Sequence, residues 1–419
     1  MKKILIISEL FYPSNRIGAL RPSKICKYLL ERGYDIDVLT AYPSEGIYNS
    51  EHCRVFSLND GFHADNMYKV RQDRINMNNA LVNQFRYFKR TFFSYLKGRN
   101  YAKRALVLLE EKDIKFEEYT ACISTYGPIS SVLIGLELKK KYRIKNWICD
   151  FRDPIVVKMS SVFMRPFYRY LQDQACKYAD KIVSVSDGYI QRICGDKYLE
   201  KRYMIPNGYD VSDIQSDFIH NKSDKLTFAY AGTLYEGKRD ISPIFRALHE
   251  LHFENKIELS KVAFVYAGGD FRSLLSQSER SGMQCILKNC GHLSREKCLK
   301  MQYDSDILVL STWNEKGEEG VFPGKFLEYM LIGKPIISLT CGNLLNSEVT
   351  SVMRIGNFGI AYESANDESD YVLLKDFIKT AYDSFTNTGR IRFEPAHEVL
   401  ERYNYNHIIE QVEALINEE

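Results

Sequence analysis

Lys325 and Glu328 stand three residues apart in the stretch Glu319-Gly320-Val321-Phe322-Pro323-Gly324-Lys325-Phe326-Leu327-Glu328-Tyr329-Met330-Leu331-Ile332-Gly333-Lys334-Pro335. The stretch reads as loop, short helix and strand. Pro323 and Gly324 open the helix; Phe326, Leu327, Met330 and Leu331 form its apolar face; Gly333 and Pro335 stop it. The i,i+3 spacing puts Lys325 and Glu328 on one face. A cation in the first turn opposes the helix dipole. An anionic ligand reverses that penalty, because free backbone N–H groups and an ammonium together make a phosphate site. The carboxylate beside it suits the hydroxyls of a ribose. The competing reading is an exposed Lys/Glu ion pair of little energetic weight.

Two more clusters have charges where chemistry is expected. Asp150-Phe151-Arg152-Asp153-Pro154 follows the apolar strand 146–149. Its charges are either functional or an Arg152–Asp150 pair with Asp153 capping a helix. The turn Gly232 to Gly237, followed by Lys238 and Arg239, comes directly after the apolar strand 226–231. Asp-x-Asp occurs at Asp35/Asp37 and Asp304/Asp306, in both cases against an apolar strand, and is read as chance, so no metal site is expected. The ten cysteines are scattered without a C-x-x-C pair, which points to free thiols.

The elements that must position these residues alternate in type. Lys3 to Ser8 is a strand, Glu9 to Gly18 a loop, 21–31 a helix and 34–40 a strand, which is a βαβ unit of a parallel sheet. Gly18 therefore lies at the carboxyl end of a strand, where open α/β sheets bind ligands, although it belongs to no G-x-G-x-x-G fingerprint. Strands follow at 119–124, 146–149, 181–186 and 204–205, with a helix over 128–142. Residues 52–84 are poorly patterned, and 211–225 reads as a linker. The second half restarts with strands at 226–231, 262–267, 285–290, 307–310 and 336–339. The tail 394–419 carries a helical run over 407–416.

A chain of 419 residues exceeds one ordinary core, so two domains are expected. The net charge of +3 does not suggest a nucleic-acid binder. The apolar run after Met1-Lys2-Lys3 is four residues, too short for a signal-peptide core, and no segment approaches a membrane span. Phe85 to Arg104 holds seven cations, no acid, and interleaved Phe and Tyr. That pattern fits an anionic membrane surface, or a packed helix with a solvated basic face.

Several motifs together resemble the GT-B glycosyltransferases, and more narrowly the retaining bacterial enzymes of glycosyltransferase family 4. They are Thr125-Tyr126-Gly127-Pro128 with Asp150-Phe151-Arg152-Asp153-Pro154; Val185-Ser186; Ile205-Pro206-Asn207-Gly208-Tyr209-Asp210; Tyr230-Ala231-Gly232-Thr233-Leu234 with Lys238; and Pro323-Gly324-Lys325 through Glu328-Tyr329 to Gly333-Lys334-Pro335. The resemblance spans most of the chain. It implies an α/β GT-B fold of two doubly wound Rossmann-like domains facing a cleft. The first, 1–208, would bind the acceptor; the second, 209–393, would bind the nucleotide-sugar donor; a closing segment, 394–419, would return to the first.

The same resemblance implies a metal-independent hexosyltransferase that builds capsule, lipopolysaccharide or exopolysaccharide on the cytoplasmic face of the membrane. Its partners would be a nucleotide-sugar and a glycan or lipid-linked glycan acceptor, with no further cofactor and no nucleic acid. The implied catalytic residues are Lys325, Lys238, Arg152 and Asp153. The implied donor contacts are Glu328, Gly324, Gly232, Thr233, Arg239, Glu319, Val321, Phe322 and Gly18. The chain departs from the family pattern in three places. Gly320 stands where a first glutamate is usual, with Glu319 one position away; Thr233 replaces an arginine; and no histidine follows Cys149. The alternatives are a catalytically silent GT-B subunit and a nucleotide-sugar epimerase.

Overall fold

The run Ile4-Leu5-Ile6-Ile7 is apolar on both sides of its pleat, so its sheet must be covered on both faces. The computed structural model describes residues 2–14, 16–43, 46–58, 80–157, 161–213 and 223–418. Its chain divides into two compact units, Met1–Asn207 with Tyr405–Glu419, and Gly208–Asn404. Residues 394–404 belong to the second unit, and only the helix after them joins the first.

The first unit has strands β1 (Lys3–Ile7), β2 (Asp35–Thr40), β3 (Cys53–Ser57), β4 (Tyr119–Thr125), β5 (Trp147–Phe151), β6 (Lys181–Ser184) and β7 (Arg202–Met204). They form one parallel sheet in the order β3-β2-β1-β4-β5-β6-β7. Its helices are α1 (Ile17–Glu31), α2 (Ala80–Glu111), α3 (Ser130–Lys141), α4 (Arg165–Tyr178) and α5 (Asp187–Cys194). Leu5 and Ile7 pack on one face with Ala105, Leu109, Trp147 and Leu171. Ile4 and Ile6 pack on the other with Ile25 and Leu29 of α1 and with Ile408, Ile409 and Val412 of the closing helix Tyr405–Asn417.

The second unit has β8 (Leu226–Ala231), β9 (Val262–Ala267), β10 (Leu287–Asn289), β11 (Ile307–Asn314), β12 (Ile336–Gly342) and β13 (Gly359–Glu363), parallel in the order β10-β9-β8-β11-β12-β13. Its helices include α6 (Ser242–Phe253), α7 (Phe271–Glu279), α8 (Arg295–Tyr303), α9 (Gly324–Ile332), α10 (Glu348–Ile355) and α11 (Asp367–Thr388). Phe228, Tyr230, Val309 and Ile337 meet α6 and α11 on one face; Ala229, Leu308, Leu310 and Ile336 meet α9 on the other. The end of α9 follows from Gly333, whose φ of 70° lets its N–H return to the Tyr329 carbonyl at 3.1 Å.

Several expectations are corrected. Helix α1 begins at Ile17, not Arg21; Pro22 lies inside it and has no N–H for the Gly18 carbonyl. Strand β3 lies in the stretch that reads as unpatterned, and 59–79 fall outside the described residues. Helix α2 runs to Glu111. Its carboxyl half is packed through Ala102, Ala105 and Leu109, whereas Phe85 and Phe93 in its amino half are exposed. Much of the expected linker, 214–222, lies outside the described residues. The ten cysteines are free, and burial pushes the Cys122 and Cys149 thiols up. No helix among the described residues is long and apolar enough to cross a membrane.

Candidate functional site

Both sheets reverse their strand order at one place, β1/β4 in the first unit and β8/β11 in the second. The loops that leave the carboxyl ends of such strands splay apart, which makes a crevice for a ligand. The candidate residues come from these loops and from the helix starts that follow them: Gly18 in the first turn of α1 after β1, Gly232 to Arg239 after β8, and Glu319 to Lys325 after β11, where α9 begins. Arg152 and Asp153 follow the neighbouring strand β5.

In the second unit, Gly232 turns the chain at a φ of 134°. A side chain there would place its Cβ 3.1 Å from Cε of Lys325. The Lys325 stem thus lies over the Gly232 turn, and glycine is the residue that admits both the backbone angle and the close approach. The turn is held from beneath. The Tyr266 hydroxyl donates to the Gly232 carbonyl at 2.9 Å, and the Asp270 carboxylate accepts from the N–H groups of Leu234 and Tyr235 at 2.8 and 3.2 Å. Burial pushes the Tyr230 hydroxyl up to about 12, so it stays protonated and donates to the Thr233 carbonyl at 3.1 Å.

Lys325 enters from α9, whose first turn contains no acid and whose N-cap, Pro323, offers no side-chain acceptor. Its leading N–H groups have no side-chain cap, and space is open around Gly324. Lys325 and Glu328 are both half-buried, and neither makes a hydrogen bond or ion pair among the described residues. The competing i,i+3 ion pair is therefore not formed. Both charges act on the Cys298 thiol between burial and solvent, Lys325 lowering its pKa and Glu328 raising it, while burial, the largest influence, pushes it up. Tyr329, absent from the expected apolar face, is fully buried and donates to the Val309 carbonyl at 3.1 Å.

The other two candidate cations, Lys238 and Arg239, are engaged. Lys238 meets Glu318 Oε2 at 2.5 Å and lies 4.1 Å over the Trp313 ring. Arg239 donates to the Thr233 carbonyl at 3.1 Å and stacks on Tyr235 and Trp313 at 4.8 and 5.4 Å. Glu319 is turned into its own loop, accepting from the Gly317 N–H at 2.9 Å. Phe322 stacks on Tyr403 with ring centroids 5.5 Å apart, so its ring packs the core side of the loop; Val321 beside it is half-buried. Glu318 and Trp313 are the residues that the sequence reading omits. The reading ends its strand at Leu310, whereas β11 continues through buried Ser311 and Thr312 to Asn314, and this extension delivers Trp313.

In the first unit, the Arg152 guanidinium lies against two glycines. A Cβ on Gly18 would sit 2.5 Å from Nη1, and one on Gly127 would sit 2.9 Å from Nη2. Arg152 pairs with Asp153 at 3.0 Å, and its Nη1 is buried without a hydrogen-bond partner. The alternative Arg152–Asp150 pair is not made, and Asp153 caps no helix among the described residues. Asp150 belongs instead to Arg21, whose Nε reaches both carboxylate oxygens at 2.9 and 3.1 Å, and to the Thr125 hydroxyl at 3.1 Å. Arg21 also donates to the Pro206 carbonyl at 2.8 Å.

Among the described residues, no three His, Cys, Asp or Glu side chains gather as metal ligands. Asp304 pairs with Lys300, and Asp306 accepts from the Thr227 N–H at 2.8 Å.

No family model and no curated protein sequence matches the chain. Solved structures match it almost end to end. The sucrose-phosphate synthase of Thermosynechococcus elongatus is 14% identical with a TM-score of 0.61, over 99% of this chain and 98% of that one. A lipopolysaccharide outer core galactosyltransferase in its apo form is 14% identical with a TM-score of 0.57, over 99% of each chain. The E. coli trehalose-6-phosphate protein bound with UDP-2-fluoro glucose is 12% identical with a TM-score of 0.61, over 100% of each. The chain has the GT-B fold. Its two parallel sheets of seven and six strands, with helices on both faces, are the two Rossmann-like halves of GT-B. At these identities the likeness fixes GT-B architecture alone.

Proposed function

We propose that this GT-B chain is a retaining glycosyltransferase of the family 4 type, which transfers a hexosyl group from a nucleotide-sugar to a growing surface glycan. One observation carries the reading: an unpaired ammonium, Lys325, lies over the Gly232 turn at the uncapped start of α9. In the transfer the bond between the sugar's anomeric carbon and the diphosphate oxygen breaks, and negative charge grows on the diphosphate. Lys325 and the leading N–H groups of α9 are fixed donors for that charge. Glu328, equally unpaired, accepts from the ribose hydroxyls. Lys238 and Arg239 flank the turn, and Glu318 offsets the charge of Lys238.

The acceptor hydroxyl attacks from the face that the diphosphate leaves, so the configuration at the anomeric carbon is kept. Its proton passes to the departing phosphate oxygen, and a dedicated base is not required. Arg152 and Asp153 of the first unit are assigned to the acceptor side, with Gly18, in the first turn of α1, beside Arg152. A structural neighbour bound with UDP-2-fluoro glucose, and another that is a lipopolysaccharide galactosyltransferase, support a nucleotide-sugar donor and a surface-glycan acceptor. The deciding experiment incubates the purified protein with a panel of nucleotide-sugars and measures released nucleotide. Release from one donor, faster with a glycan acceptor, supports the reading; release from none overturns it.

A second reading is favoured by Glu319. The usual position of the first glutamate is Gly320, and the neighbouring candidate, Glu319, has its carboxylate held by the Gly317 N–H within its own loop. A catalytically silent GT-B subunit would bind nucleotide with Glu328 and Lys325 and release none, an outcome that calorimetry beside the release assay distinguishes.

A further inference from the structure

We propose that the amino half of α2 and the start of α4 form one lipid-docking face for an anionic membrane surface. The two elements are locked together. Phe88 meets Phe163 edge-on at 6.5 Å, Tyr95 meets Phe167 at 4.8 Å, and the Tyr168 hydroxyl donates to the Thr91 carbonyl at 3.1 Å. These contacts account for the inner rings. They leave the outer apolar groups bare: Phe85 is 57% exposed, Phe93 56%, Phe163 69% and Tyr170 59%. Soluble surfaces carry scattered exposed apolar residues, but a cluster of large rings drawn from two elements marks an interaction face.

The charge around the rings is of one sign. From Gln84 to Leu109 and from Ser161 to Gln172 the sequence holds no Asp or Glu, while Arg86, Lys89, Arg90, Arg99 and Arg169 are exposed. The whole chain carries only +3, so this face is a local concentration of positive charge rather than a sample of an overall basic surface. Phenylalanines bring no hydrogen-bonding group, which suits an acyl boundary. Long basic side chains around them reach anionic headgroups while their stems stay in the apolar layer. Lys89, with its ammonium 4.9 Å over the Phe85 ring, already holds such an arrangement.

The carboxyl half of α2 supplies the rigidity. Ala102, Ala105 and Leu109 are buried in the first unit's core, and Gly98 admits Ile129 so closely that a Cβ would sit 2.7 Å from it. The face is thus mounted on the unit rather than hinged to it. Segment 161–170 also follows, in the chain, the carboxyl end of β5, where Arg152 and Asp153 lie. A lipid-bound acceptor would therefore be met by the unit assigned to it. The docking itself does not depend on that assignment.

The test is flotation of the full-length protein with vesicles of phosphatidylcholine alone and of equal parts phosphatidylcholine and phosphatidylglycerol. The parent should float with the anionic vesicles and not with the neutral ones, and lose that binding as salt rises from about 0.1 M to about 1 M, where screening shortens from about 10 Å to about 3 Å. Replacing Arg86, Lys89, Arg90 and Arg99 by Gln should weaken binding on the order of a thousandfold. Phe85→Ser with Phe93→Ser should weaken it at unchanged charge, and neither residue lies in the core, so the thermal midpoint should stay at the parent's value. Failure of the parent to float, or equal flotation of parent and cation variant, overturns the proposal. So does a parent that is a dimer in size-exclusion chromatography, becomes monomeric on the Phe substitutions and binds no vesicle, since the face then joins two copies.

Discussion

Arg21 of α1 with Asp150 at the end of β5 in the first unit, and Lys325 with Glu328 on α9 in the second, are both sets of opposite charge near the carboxyl ends of strands, and the fold treats them in opposite ways. Arg21 and Asp150 are each 2% exposed, joined through both carboxylate oxygens and completed by Thr125 and the Pro206 carbonyl. Lys325 and Glu328 are half-buried, on one helix face, and bond to nothing among the described residues. A buried charge without a partner is costly, so the first set is closed. The second set is tolerable because solvent reaches it, and it remains available to a ligand. The satisfied set holds the architecture; the unsatisfied set is where chemistry is expected.

The comparison breaks most visibly at Asp150. Asp150→Ala strands Arg21 and should cost about 3–5 kcal/mol of stability in urea denaturation; a loss no larger than that of a surface mutant would show that the pair does not organise the loops. Glu328→Gln should leave stability within about 0.5 kcal/mol of the parent. Its donor affinity, read by calorimetry, should fall roughly ten- to hundredfold, with a smaller change in kcat, because a charged hydrogen bond to ribose is the same in ground and transition states.

Two substitutions sharpen the picture around Lys325. Gly232→Ala introduces a Cβ against the Lys325 stem and a strained φ, and about 1–3 kcal/mol of strain should appear mainly as a raised donor KM. Lys238→Gln should lower kcat by about tenfold or less, since Glu318 already offsets that ammonium, and Glu318→Gln in the same protein should recover part of the loss. The smallest expected effect is none. EDTA should leave turnover unchanged, because Lys325 and the α9 N–H groups supply the charge stabilisation; restoration of a lost rate by magnesium or manganese would direct attention back to Asp304 and Asp306.

Strands β8 and β9 are legible in the sequence with the bounds they have in the fold, because apolar runs there are bracketed by turn residues. Strand β3 is not, since Cys53-Arg54-Val55-Phe56-Ser57 lies at the sheet edge and buries only Cys53 fully. The end of β11 hides behind Ser311 and Thr312, polar side chains that the sheet buries, and Trp313 is hidden with it. The Arg21–Asp150 pair joins residues 129 apart, and no local pattern announces it. Lys325 and Glu328 are legible for the opposite reason. A lysine in the first turn of a short helix breaks a local rule, and the structure leaves the breach unpaired.

The most direct measurement is steady-state kinetics of Lys325→Ala beside the parent on the donor that the release assay identifies. Charge on the leaving diphosphate grows as the bond breaks, so the ammonium counts most in the transition state. The account predicts a fall in kcat of roughly 10²–10³ with a smaller rise in KM, and a thermal midpoint like the parent's. A variant that keeps the parent's kcat and donor affinity would contradict it, leaving Lys325 and Glu328 as surface charges and the donor site on another helix.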